Sequence, residues 1–164
     1  MKSTKQSVLL VILVLLMLAA VGCSNFGYQD GKVSMDIKLG ADNLNKLVAR
    51  ASEGENSFIG KDNKIELVEP NLMRISGDFH LGEGQRASGT VDFAITSTEN
   101  GANIQIVESN VPGLDVDGPV VNTFNKALGG ALSEAASTKN DGAGITGIQV
   151  KDGKLVISVT MKVK

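Results

Sequence analysis

The chain has 164 residues, with 16 Lys and Arg against 18 Asp and Glu, 42% hydrophobic residues, one cysteine, one tyrosine and no tryptophan. This slightly acidic balance argues against a nucleic-acid partner and gives no pull toward anionic headgroups. A single thiol excludes an intramolecular disulfide, and the scarcity of large rings argues against a sugar-stacking site.

The first element is an export signal. Lys2 and Lys5 precede an uncharged apolar run from Val8 to Val21, and small residues follow. The run has 14 residues, about 21 Å as a helix against a hydrocarbon core of about 30 Å. It fits a signal core better than the competing reading, an uncleaved membrane anchor. The lone cysteine closes the sequence Leu18-Ala19-Ala20-Val21-Gly22-Cys23, which resembles the lipobox of bacterial lipoproteins. The resemblance implies a diacylglyceryl group on the Cys23 thiol, cleavage before it, and acylation of the new N-terminus by palmitate or a similar chain. Two chains at about 0.8 kcal/mol per buried methylene anchor stably. The expected location is the extracytoplasmic side of a bacterial cell membrane. Ser24 does not carry the retention signal that Asp would suggest, so inner and outer membrane both stay open. Three segments are expected: a signal peptide over 1–22, a lipid anchor and short tether over 23–31, and a single domain over 32–164. Removing 1–22 from 164 leaves 142 residues, with 14 basic against 18 acidic, a net charge of −4. That is the size of one ordinary domain.

Within the mature chain, Val33 to Leu39 alternates apolar and polar residues and predicts a strand ended by Gly40. Asp42 or Asn43 is the expected cap of a helix through Ser52, with Leu44, Leu47, Val48 and Ala51 on one face. The period then changes to two. Lys64 to Val68 is a strand, and Glu69-Pro70-Asn71 a turn. From Asn71 to Leu81, Met73, Ile75, Gly77, Phe79 and Leu81 share a face. Gly82-Glu83-Gly84 is a loop. From Ala87 to Thr98, Gly89, Val91, Phe93 and Ile95 share a face, and Asn100-Gly101 is the expected hairpin turn into Ala102 to Val107.

After a loop over Pro112 to Gly118, Asp117 is the expected cap of a second helix, with Pro119 in its first turn. Val121, Phe124, Leu128, Leu132 and Ala135 recur at helical spacing. Gly129-Gly130 interrupts them at about 1 kcal/mol per glycine relative to Ala, which implies a kink or a close neighbour. A polar loop over 137–144 leads to a final hairpin, Ile145 to Val150 and Leu155 to Val163, across Asp152-Gly153. Leu155, Ile157, Val159, Met161 and Val163 form one apolar face, and Val156 alone breaks the polar face opposite. Nearly every strand is one-sided, so the greasy faces need a cover, and the two amphipathic helices supply it. The expected class is α+β: a curved, mainly antiparallel sheet packed on two helices.

This layout resembles bacterial envelope proteins of the LmeA type and the YpmS type. The resemblance rests on Leu44-Asn45-Lys46-Leu47, the strand pair from Ile65 to Phe79, Val121 to Leu128, and Ile145 to Ile157. These families resemble half of a tubular lipid-binding (TULIP-like) module, so the resemblance implies binding of a lipid or another apolar molecule. No family site residue is carried by the matching motifs. Physical chemistry supports the idea independently: a lining of Met73, Ile75, Phe79, Val91, Phe93, Ile95, Leu155, Ile157, Val159 and Met161 is mostly aliphatic, Met fills irregular gaps, and the scarcity of large rings leaves room for an acyl chain. The alternative is a packed core made of those ten residues, in an envelope scaffold or protein-interaction lipoprotein.

No catalytic group is expected. His80 is the only histidine, and Asp78 shares its strand face. A metal site normally needs three or four ligands. No Gly-x-Ser-x-Gly elbow occurs, and Gly82 to Ser88 lacks the spacing and Lys-Ser/Thr ending of a phosphate loop. Glu108, Asp115 and Asp117 lack calcium-loop spacing. The expectation is a non-catalytic protein with no cofactor and no metal. Its partners are the membrane through the anchor, and a lipid or an unidentified protein.

Overall fold

The computed structural model describes residues 26–29, 32–53, 58–60, 62–98, 101–136 and 143–162. In chain order these form β1 (Phe26–Gln29), β2 (Lys32–Leu39), α1 (Ala41–Ala51), β3 (Lys64–Val68), β4 (Leu72–Gly82), β5 (Gln85–Thr98), β6 (Gly101–Ser109), α2 (Pro119–Ala136), β7 (Ala143–Lys151) and β8 (Lys154–Lys162). The class is α+β. Every strand pair is antiparallel.

Alternation in the sequence identifies which face of each strand is apolar, but the strands divide between two sheets. One runs β1-β2-β8-β7 and the other β3-β4-β5-β6. Each helix carries the chain from one sheet to the other, α1 between β2 and β3, and α2 between β6 and β7. A main-chain bond from Val150 N–H to Pro70 O, 2.5 Å, joins them directly. The apolar faces of both sheets and of both helices contribute to a single core. Phe79, Phe58, Phe124 and Phe93 cross it as a chain of tilted rings, with successive centroids 5.3, 5.5 and 5.6 Å apart. Such tilted pairs suit the ring quadrupoles.

Local details depart from the sequence reading at several places, among them Ala135, expected on the buried face of α2, which is exposed while Ala136 is buried. Phe26–Gln29, expected within the tether, pairs with β2 as β1. Gly40, not Asp42 or Asn43, holds the N-cap of α1, while Asp42 sits in the first turn, where a carboxylate favours the helix dipole. Asn122 N–H donates to Gly118 O, so Gly118, not Asp117, holds the cap position before Pro119, the first residue of α2. The β5–β6 register pairs Thr98 with Gly101, so Gly101 enters the strand instead of the turn. Finally, Phe58 and Ile59, which the sequence assigned to no element, are buried: Ile59 bridges to Phe79, and His80 N–H donates to Phe58 O.

The expected turn of the final hairpin holds. Asp152 and Gly153 both take positive φ between the paired Lys151 and Lys154. Among the described residues, no helix is long and apolar enough to cross a membrane. The Val8–Val21 run and Cys23 lie outside the described residues.

Candidate functional site

The ten residues expected to face an apolar ligand fall on β4, β5 and β8 and converge on the core. Met73, Ile75, Phe79, Val91, Phe93, Ile95, Leu155, Ile157 and Val159 are each 1% exposed or less. Cross-strand partners press them together: Met73 lies opposite Phe93, Ile75 opposite Val91, Ile37 opposite Ile157, and Leu39 opposite Leu155. Only Met161 is partly exposed, at the rim.

A groove of about 750 Å³ lies elsewhere, between β6 and α2. Its floor is β6 from Ala102 to Ile106, and its wall is the α2 face bearing Asn122, Asn125, Lys126, Gly129, Gly130 and Ser133. Val116 and Asp117 line the end nearest the start of α2, and Thr98 also contributes. The two glycines of α2 divide their work. A Cβ on Gly129 would stand 2.8 Å from Ala102 O, whereas one on Gly130 would meet nothing within 4 Å. Thus Gly129 lets the helix touch the strand, and Gly130 leaves the groove open. The Ser133 hydroxyl pins the contact: Oγ accepts from Ala102 N–H at 2.9 Å and donates to Gly129 O at 2.7 Å. A Cβ on Gly101 would collide with that hydroxyl, so Gly101 serves the strand–helix contact. Asn125 lines the groove, and its Oδ1 is itself buried without a hydrogen-bond partner among the described residues.

The polar face of the second sheet carries an ion pair that sequence reasoning did not find. Arg74 Nε and Nη2 donate to Asp92 Oδ1 and Oδ2 at 2.8 and 2.7 Å. The fork geometry is the strong bidentate form. Asp92 is 4% exposed, although it points away from the core. Its hydrogen bond and charge hold the Arg74 guanidinium above the usual arginine value, with Glu66 and Glu108 adding to the effect. A shallow depression of about 260 Å³ surrounds the pair, edged by Thr90, Glu108 and Asn110. Only the β4–β5 register could have revealed this pair, since it sets Arg74 directly opposite Asp92.

Asp78 does not meet His80; its Oδ1 accepts from Ser88 Oγ at 2.5 Å. His80 stands across from Arg86, beside the Gly82–Gly84 turn. Asp115 caps its own loop, accepting Asp117 N–H at 3.1 Å. Among the described residues, no cluster of three or more His, Cys, Asp or Glu is placed to hold a metal ion. The chain matches no protein-family model and no curated protein.

Proposed function

We propose that this protein is a lipid-anchored, extracytoplasmic bacterial envelope protein that performs no catalysis and acts as an interaction module through its surface. The observation that carries this reading is the packing of the would-be ligand lining, nine of whose ten side chains are at most 1% exposed. Interiors packed in this way have no space for an acyl chain unless the elements part. The lipobox at Cys23 supports the anchor. Three peptide steps separate Cys23 from Phe26, the first residue of β1, a reach of about 10 Å. The anchor would therefore hold the β1 edge close to the bilayer.

A second reading, a lipid carrier, draws support from the two-sheet arrangement. Its apolar faces meet around the helices, and partly buried Met161, Ile145 and Ile148 lie at the rim of the first sheet. Separation of the sheets would open a lined channel. Native mass spectrometry of residues 24–164, sprayed without detergent after incubation with envelope lipids, decides between the two. The interaction reading expects the bare protein mass. A discrete added mass, extracted and identified as a phospholipid, would replace it with the carrier. For the anchor, Cys23→Ala should abolish palmitate labelling and release the protein from membranes; retention of both would refute lipidation.

A further inference from the structure

We infer that the groove between β6 and α2 receives an extended polypeptide segment, which adds as a strand to the free edge of β6. The inference rests on the interaction reading above and names its surface and the chemistry of its partner.

β6 ends its sheet, so one side of its backbone has no strand partner among the described residues. The phase of the ladder fixes which groups are free. Ile95 N–H donates to Asn71 O on the β4 side, and Asn71 Nδ2 reaches Ile95 O at 3.4 Å. Ile95 therefore turns its main-chain groups away from β6. Ile104, directly opposite Ile95, then turns its own N–H and C=O away from β5, because antiparallel pairs alternate in this way. Ala102, two residues earlier, has the same phase, and its N–H is indeed taken on the outer side by Ser133 Oγ. One α2 side chain thus already stands in for a strand partner at Ala102. Beyond it, Ile104 and Ile106 present their N–H and C=O to the groove, and β6 bulges after Ile106.

Helix and strand run in opposite directions. Gly129 and Ser133 touch the start of β6, so the earlier part of α2 lies along its later residues. Within the groove the open edge runs from Ile104 to Ile106, about 7 Å, enough for about three extended residues. Across from it stand side-chain amides, which can both donate and accept, matching the one donor and one acceptor of each peptide unit. Asn122 and Asn125 supply these amides, although Asn125 Oδ1 is itself buried. Charge adds selectivity. Lys126 faces the groove and Asp117 closes its far end, so the fitting segment carries an acidic side chain near its middle and a basic one toward the start of α2. Strand addition beside a helix is an established way to bind extended peptides.

The test uses the full chain in mild detergent, panned against a phage-displayed library of random twelve-residue peptides. The enriched peptide is then synthesised with a backbone N-methyl group at each position in turn. Affinity should fall about tenfold or more at two positions two residues apart, opposite Ile104 and Ile106, and hold at the residue between them, since only alternate N–H groups face β6. Amide exchange at Ile104 and Ile106 should slow on binding. Gly130→Trp, which fills the groove from a site with open space around it, should weaken binding about tenfold at an unchanged circular dichroism spectrum. Lys126→Glu, at an exposed position, is the second variant and should weaken acidic peptides most. Enrichment of no peptide, N-methyl sensitivity without a two-residue period, or binding indifferent to both variants would overturn the inference. Peptides bound at another surface would remove the groove while leaving the interaction reading intact. A co-purifying phospholipid would remove that reading while leaving the N-methyl result to stand by itself.

Discussion

Adjacent glycines in α2 should respond in opposite ways to the same substitution. In an isolated helix, Gly→Ala at either site gains about 1 kcal/mol through the lost backbone freedom of glycine. At Gly130 nothing lies within 4 Å of the new methyl, so Gly130→Ala should stabilise by nearly that amount. At Gly129 the methyl would stand 2.8 Å from Ala102 O, a main-chain atom of β6 that cannot swing aside. Overpacking of this kind costs about 1–3 kcal/mol. Gly129→Ala should therefore range from neutral to a loss of about 2 kcal/mol. The expected gap between the two variants is about 1–3 kcal/mol, or about 3–9 °C in midpoint at about 3 °C per kcal/mol for a domain of this size. Parallel thermal and urea melts of the purified variants measure it. Equal gains at both positions would refute the close α2–β6 contact, and with it the wall of the groove.

The core and the buried ion pair yield further expectations. Phe124 joins Phe58 and Phe93 in the ring chain, so Phe124→Ala should cost about 3–5 kcal/mol in urea melts; a loss under 1 kcal/mol would mean that the rings are not packed. Ser133→Ala removes the acceptor of Ala102 N–H and should destabilise by about 1 kcal/mol, with faster amide exchange at Ala102 as the specific readout. Arg74→Ala should destabilise more than Asp92→Ala. The first leaves a carboxylate that is 4% exposed without its bidentate partner, whereas the second leaves a guanidinium whose side chain is 41% exposed and can turn to water. The reverse order in matched melts would contradict the assigned burial. Val91→Asp puts a charge at a fully buried position and should unfold the domain, seen as loss of the cooperative transition.

The strands and helices were largely legible because each has one apolar face. Period-two alternation located β2, β4, β5 and β8, and helical spacing located both helices. The Asp152-Gly153 hairpin was legible because both residues tolerate positive φ. Phe58 and Ile59 were missed, since two apolar residues in a polar stretch carry no period. The caps were misplaced because glycine can hold an N-cap through its backbone alone, where Asp or Asn is the stronger signal. At the candidate site, the Gly129-Gly130 pair announced either a kink or a contact, and no local feature chose between them.

By itself, then, the chain determined an α+β class and most of the apolar positions that the core uses. These follow from local composition and from the periods of 2 and 3.6, which any segment carries within itself. Only the tertiary structure decided that the strands form two sheets, that Arg74 meets Asp92, and that α2 closes on the edge of β6 at Gly129. Each of those depends on register and on which surfaces meet. They are relations between segments distant in sequence, and a periodic pattern within one segment is silent about its partner.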